Sequence, residues 1–279
     1  MLDNLRIAII GPGVMGEAIF SALLQNGICL PENLVISGPD ENRNKLLSER
    51  YSIKATTLNG EAVDNADIVV LSVKPQKFQQ AIKPIKGKIK DSALVLSIIA
   101  GINLGTLINT SGHDKVIRAM PNTPARIAKG ITAWTASKAV TEEQMQLTRD
   151  LLSALGEEVF VDDENYLDMS TALSGTGPAY IFLFMEAMID AGVHLGLPRR
   201  ISEQLVTETI KGSVQYYESN HEHPAKLRND VTSPGGTSAE ALYYLEKAGF
   251  RTALSRAIFA AFERSRDLGQ GLQAKIDRE

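Results

Sequence analysis

Ile7-Ala8-Ile9-Ile10-Gly11-Pro12-Gly13-Val14-Met15-Gly16 is the stretch that decides the fold. A short apolar run enters a turn of the pattern GxGxxG. The residues that follow, Val14–Gln25, have helical apolar spacing and end near Gly27. Strand, glycine turn and helix in direct succession open a dinucleotide-binding sheet. Each glycine has its own task. Gly11 permits the tight turn, Gly13 lets the backbone approach a pyrophosphate, and Gly16 lets helix and strand pack closely. The phosphates would rest on the helix N-terminus, where free N–H groups and the dipole favour anions. The alternative is a tight turn that binds nothing.

Working outward, strand and helix signals alternate. Leu34–Ser37, Asp67–Val73, Ala93–Ile99 and Lys115–Ala119 read as strands, and Glu41–Arg50 as a polar helix. Gly130–Trp134 and Glu158–Val161 read as two more strands. Between them Thr141-Glu142-Glu143-Gln144 has the form of an N-cap with an acidic first turn, opening a helix to about Leu155. Short apolar strands separated by helices predict a parallel sheet covered on both faces, the doubly wound class.

Beyond Asp163 the strand signals stop. Helices are expected over Ala179–Leu195, Arg199–Tyr217, Gly236–Ala248 and Arg251–Leu268. The expected architecture is therefore α/β plus all-α. A Rossmann-like doubly wound sheet over residues 1–162 precedes an all-helical dimerisation and substrate domain over 163–279. Ala179–Leu195 carries Ile181, Phe184, Met185 and Met188 on one side and Phe182 and Ile189 on the other. A helix apolar nearly all round, in so short a second half, predicts a subunit interface.

Composition narrows the function classes. The 279 residues are 44% hydrophobic and 22% charged, with a formal net charge of −4. These values suit a soluble globular protein of one or two domains and argue against a nucleic-acid surface. The single cysteine, Cys29, excludes an internal disulfide and a cysteine-based zinc framework, which fits a reducing cytoplasm. Met1–Arg6 and the apolar Ile7–Ile10 are too short for a secretion signal. Ser92–Gly112 and Met169–Met185 are interrupted by glycine, proline or polar residues and read as buried segments rather than membrane spans. His113, His194, His221 and His223 lack metal-ligand spacing and read as surface residues, so no metal is expected.

In open α/β sheets the ligand crevice lies at the carboxyl ends of the strands. Val73-Lys74-Pro75, Ala100-Gly101 and Asn122-Thr123-Pro124 stand at three such ends. Lys74 there could meet a phosphate or a substrate carboxylate, or simply cap a strand at the surface. The second strand ends Ile36-Ser37-Gly38-Pro39-Asp40, with no carboxylate obviously set against a 2′-phosphate and with Asn42 and Arg43 close behind. That favours NADPH over NADH as cofactor. The helical half offers no evident base. It does offer two glycine-rich segments with hydroxyls at expected helix starts, Leu173-Ser174-Gly175-Thr176-Gly177-Pro178-Ala179-Tyr180 and Val231-Thr232-Ser233-Pro234-Gly235-Gly236-Thr237-Ser238. Each would suit a small carboxylate.

Taken together, the chain resembles the pyrroline-5-carboxylate reductase family. The resemblance runs through the Gly11–Gly16 fingerprint, Val73-Lys74-Pro75, Ala100-Gly101 and Met120-Pro121-Asn122-Thr123-Pro124. It continues through Ser174–Tyr180, Gly196-Leu197-Pro198-Arg199, His223-Pro224 and the signature Val231–Leu245. It implies hydride transfer from NAD(P)H to the C=N bond of 1-pyrroline-5-carboxylate, giving proline, and a homodimer built through the helical domain, with dimers often forming a decameric ring. It implies that Gly11, Pro12, Gly13, Val14, Met15, Gly38, Asn59, Val73, Lys74 and Ala100 hold the cofactor. Gly16, Pro75, Gly101 and Asn122 complete that set. Glu164, Ser174, Gly175, Thr176, Gly236, Thr237 and Ser238 would bind substrate, with Ser238 also the catalytic hydroxyl. Three positions depart from the family pattern: Ser238 stands for threonine, Thr176 for serine and Asp230 for asparagine. The first two keep a hydroxyl. A β-hydroxyacid dehydrogenase is the neighbouring alternative, but Ser174–Phe184 lacks the lysine such enzymes use. A nucleotide-binding regulatory protein would have no need of the two hydroxyl-bearing helix starts.

Overall fold

The computed structural model describes residues 5–276. Residues 1–4 and 277–279, the outer ends of the two expected domains, lie outside the described residues, and with them most of the Met1–Arg6 segment. Two compact units are present. One comprises the chain up to Gly177 and the described residues from Ala261 on, and the other is Pro178–Ala260.

The first unit is built on an eight-stranded sheet: β1 (Ile7–Ile10), β2 (Leu34–Ser37), β3 (Lys54–Thr56), β4 (Ile68–Leu71), β5 (Leu94–Ser97), β6 (Val116–Met120), β7 (Gly130–Ala136) and β8 (Gly156–Phe160). The spatial order is β3-β2-β1-β4-β5-β6-β7-β8. The order reverses between β1 and β4, which is where a Rossmann sheet places its ligand crevice. β1, β2, β4 and β5 are buried along their whole length. Burial on both faces explains why they read as unbroken apolar runs.

Two features differ from the expected sheet. β7 pairs antiparallel with β6, Ile117 opposite Ala136 and Met120 opposite Ala133. The short link through Thr123–Ile127 returns the chain at once, too short for the crossover a parallel neighbour needs. β3 carries no apolar run, because it is a three-residue edge strand whose side chains are mostly exposed.

Helices α1 (Val14–Gln25), α2 (Glu41–Tyr51), α3 (Asn59–Ala62), α4 (Phe78–Ile82), α5 (Leu104–Ser111) and α6 (Glu142–Ser153) accompany the sheet. Thr141 and Gln144 form a reciprocal capping box on α6, as their spacing predicts. One core gathers Ile7, Ile9, Phe20, Leu23 and Trp134 on one face; the other gathers Ala8, Ile10, Phe78, Ile85 and Leu107 on the opposite face.

The remaining helices are α7 (Asn165–Ser170), α8 (Gly177–His194), α9 (Arg199–Asn220), α10 (Pro224–Asp230), α11 (Thr237–Lys247) and α12 (Phe250–Ile276). The sequence reading passes over α10, because its seven residues are too few to show an apolar period; Pro224 opens it and His223 Nδ1 accepts from Ala225 N–H at 3.1 Å. His113 is not a surface residue: it is buried, with Nε2 2.8 Å from the Ala93 carbonyl. Of the two segments expected to be buried, Ser92–Gly112 becomes β5, its turn and α5. Met169–Met185 buries only Ala172, leaving Met169, Leu173 and Ile181–Phe184 exposed, and no residue of α8 is buried within the chain. In Pro178–Ala260 only Ser202 and Val206 fall in the buried class. A segment of that size with so little interior has to be completed from outside itself. The helical run Asn165–His194 is long and apolar enough to cross a membrane.

The join between α1 and the sheet is one of the tight backbone approaches in the fold. A Cβ on Gly16 would lie 2.5 Å from the Gly11 carbonyl oxygen and 2.8 Å from Ser72 Oγ. Gly16→Ala should therefore cost about 1–3 kcal/mol, read as a lowered urea midpoint; an unchanged midpoint would contradict the close approach.

Candidate active site

The fingerprint turn forms as its glycines require. Gly11 sits at φ +95°, a region open to glycine, and its N–H donates to the Ser37 carbonyl at 2.8 Å. A Cβ there would lie 2.7 Å from Val73 Cγ1. Ser72 Oγ donates to the Gly11 carbonyl at 2.7 Å, which ties the turn to the end of β4. Gly13 is the N-cap of α1, and a Cβ built on it meets nothing within 4 Å. The first and third glycines are thus filled by protein, while the second faces open space.

That space is a cleft of about 800 Å³. It is lined by Gly11, Pro12 and Gly13 of the turn, Gly38 beyond β2, Asn59 of α3, and Val73 and Lys74 beyond β4. Gly38 is where Pro12 leans on the end of β2: a Cβ would lie 2.8 Å from the Pro12 ring. Asn59 is held by Ser37 Oγ, which donates to its Oδ1 at 2.7 Å, and donates from Nδ2 to the Ala81 carbonyl at 3.0 Å. Lys77, Lys88 and Arg43 line the same cleft, against the carboxylates Asp40 and Glu61. Asp40 is occupied in accepting from Arg43 N–H at 3.1 Å. Arg43 braces the turn through Nε to the Pro12 carbonyl at 2.7 Å and pairs with Glu17 at 2.9 Å. An excess of cations and an open helix start fit a dinucleotide with its phosphates. Sequence reasoning missed Lys77 and Lys88, which lie on and beyond the α4 connection and belong to no motif.

Other expected residues gather at the ends of β5 and β6. Gly101 sits at φ +76°, and a Cβ there would meet Gly269 N at 2.9 Å and the Ser265 carbonyl at 3.0 Å. Its glycine serves the close packing of α12. Asn122 donates to the Ser174 carbonyl at 3.2 Å and accepts from Ile131 N–H at 3.1 Å. Glu164, at the start of α7, accepts from Leu104 N–H at 2.7 Å and from Arg118 at 2.9 Å.

Ser174-Gly175-Thr176 is not the open helix start its glycines suggest. Thr171–Gly175 is a π-helical turn in a helical run from Asn165 to His194. Thr176 N–H and Oγ1 both reach the Thr171 carbonyl, at 2.8 and 2.9 Å, and Ser174 Oγ donates to the Ser170 carbonyl at 2.9 Å. The preceding α7 uses the backbone groups that a free end would have exposed. Such π turns recur at functional sites.

The second segment keeps the expected form. Gly235 sits at φ +71°, Gly236 is the N-cap of α11, and the first bond there runs from Glu240 N–H to the Gly236 carbonyl at 3.2 Å. The N–H groups of Thr237, Ser238 and Ala239 therefore have no partner within the helix. Asp230, the departure at the end of α10, pairs with Lys226 at 3.2 Å. Among the described residues no cluster of three histidine, cysteine or acidic side chains could hold a metal.

A Rossmann unit with an open phosphate turn, followed by an all-helical part, defines an NAD(P)H-dependent oxidoreductase. Comparison with known proteins narrows the class. Residues 164–268 match the family model described as pyrroline-5-carboxylate reductase dimerisation, and residues 6–101 match that described as NADP oxidoreductase, coenzyme F420-dependent. The pyrroline-5-carboxylate reductase of Synechocystis is 38% identical over 96% of this chain and 99% of its own, and that of Arabidopsis thaliana 37% identical over 96% and 97%. The crystal structure of Plasmodium falciparum pyrroline carboxylate reductase with NADP bound superposes with a TM-score of 0.89 at 34% identity, covering 96% of this chain and 99% of its own. The chain belongs to the pyrroline-5-carboxylate reductase family.

The open face at Gly13 separates folding from binding. Gly13→Ala should leave the melting temperature nearly unchanged and weaken the dinucleotide by about tenfold or more, since the methyl enters space the phosphates need. Fluorescence titration with NADPH measures it, and an unaltered dissociation constant counts against the cleft.

Proposed function

We propose that the chain reduces 1-pyrroline-5-carboxylate to proline, taking NADPH in preference to NADH. The dinucleotide would lie in the fingerprint cleft against Gly11–Gly13, Gly38, Asn59, Val73 and Lys74, with Val14, Met15, Gly16, Pro75, Ala100, Gly101 and Asn122 the further residues read as holding it. The bound nicotinamide supplies the hydride. The substrate ring carries a C=N bond whose nitrogen is readily protonated to an iminium. As hydride adds to the ring carbon, the π pair of the C=N bond passes to nitrogen and becomes the N lone pair of the amine. A protonated imine is already electrophilic, so the chain's task is to orient the ring rather than to supply a strong acid.

The observation that carries the substrate half of this reading is the free helix start at Gly236. Its unpaired N–H groups suit a carboxylate. The Ser238 hydroxyl would hydrogen-bond the ring nitrogen, and Glu164, Ser174, Gly175 and Thr176 are the other residues read as substrate-binding. NADPH preference is supported by the cations Arg43, Lys74, Lys77 and Lys88 and by Asp40 being occupied with its own helix. An NADPH-linked absorbance assay with pyrroline-5-carboxylate should show turnover and a lower KM for NADPH than for NADH. Ser238→Ala should lower kcat about tenfold through loss of one hydrogen bond, with NADPH affinity kept, while Ser238→Thr stays near wild type. Unchanged steady-state kinetics in the alanine variant would remove Ser238 from the mechanism.

The helical part serves assembly. The reading is a homodimer through Pro178–Ala260, with dimers joining into a decameric ring, in the cytoplasm and without membrane or nucleic acid. The apolar Ile181, Phe182, Leu183 and Phe184 of α8 are at least two-fifths exposed in the single chain. A second copy would cover them better than a bilayer, because Glu186 and Asp190 follow on the same helix. Sedimentation equilibrium without detergent should give a dimer or a multiple of it; a stable monomer at micromolar concentration would rule this out.

A further inference from the structure

We infer that Arg118 is a positioning residue for the reduction, fixing Glu164 and the π turn from inside the sheet. The inference rests on the reading above that Glu164 and Ser174–Thr176 line the substrate. Arg118 lies in β6 with its side chain 5% exposed. Its NH1 donates to Glu164 Oε1 and its NH2 to Asp168 Oδ1, both at 2.9 Å. One planar fork thus spans two carboxylates four residues apart. Each of those oxygens takes a second donor. Leu104 N–H at the start of α5 reaches Glu164 Oε1 at 2.7 Å, and Ser265 Oγ of α12 reaches Asp168 Oδ1 at 2.9 Å. Four elements therefore meet on two oxygen atoms.

The same strand holds the other end of the segment. Beyond Arg118, Met120 Cε lies 3.1 Å from where a Cβ on Gly175 would stand, and Asn122 donates to the Ser174 carbonyl. β6 and the turn that follows it thus grip residues 164–175 at both ends, by the ionic fork of Arg118 at the start of α7 and by the Asn122 amide at the π turn. Two carboxylates against one guanidinium leave an excess negative charge, and Glu164 is the more exposed of the pair at 28% against 19%. The fork fixes one oxygen of Glu164 and leaves Oε2 outside the clamp. Lysine keeps the charge at position 118 but is a point donor without the fork.

The test uses the full-length chain with Arg118→Lys, Asp168→Asn, Ser265→Ala and Glu164→Gln. Arg118→Lys should raise KM for pyrroline-5-carboxylate about tenfold while the NADPH dissociation constant stays within about twofold. Asp168→Asn should move KM in the same direction, and Ser265→Ala by a smaller factor. A purely structural role would lower the melting temperature and leave KM of the folded protein unchanged, and that result overturns the inference. If Arg118→Lys does not fold, Asp168→Asn and Ser265→Ala decide by the same criterion. If Glu164→Gln raises KM while the other variants do not, the positioning role alone fails. If Glu164→Gln leaves KM unchanged, the assignment of Glu164 to the substrate fails and the inference falls with it.

Discussion

The distance between α1 and the sheet governs the nucleotide half. Where Gly16 passes the Gly11 carbonyl, the gap is smaller than any side chain, and Ser72 Oγ closes it from the end of β4. With that approach made, the N-terminus of α1 stands at the point where the strand order reverses, and Gly13 is left facing the cleft. Arg43 then secures the turn from outside by donating to the Pro12 carbonyl. The glycines are thus a packing requirement first and a binding surface second: two of the three are occupied by the protein itself.

A second constraint of the same kind acts at the far ends of β5 and β6. Gly101 and Gly269 bring a turn and a helix into backbone contact, and Arg118 joins β6 to α7. A guanidinium placed in the interior of a sheet is costly unless its partners are close and fixed. The partners here are supplied by residues some 46 and 50 positions later in the chain. The candidate site of this unit is therefore held by tertiary contacts of long sequence separation rather than by local turns.

How legible this was differs by element. The buried parallel strands and α1 could be read closely, because burial on both faces writes itself as an unbroken apolar run and a glycine turn has few alternatives. The capping box of α6 was equally local. β3 was not legible, since an exposed edge strand of three residues carries no pattern, and neither was α10, whose seven residues are too few to show a helical period. The charge inside Val116–Met120 was a usable sign: an arginine in a strand that is otherwise apolar needs an internal partner. It did not say which carboxylates would meet it.

By itself the sequence determined the order of the buried strands and long helices, the phosphate turn, the membership of the reductase family and the apolar surplus of the helical half. All of these depend on residues close together in the chain, or on composition. Tertiary structure alone decided that β7 turns back against β6 and that Ser174 and Gly175 fall in a π turn instead of a free helix start. It also decided that Gly101 serves α12, and that Arg118 gathers Glu164, Asp168 and Leu104 at one point. The physical reason is common to all four. Each outcome is set by which distant group arrives to satisfy a backbone bond, a charge or a gap, and that partner is chosen only when the chain has folded.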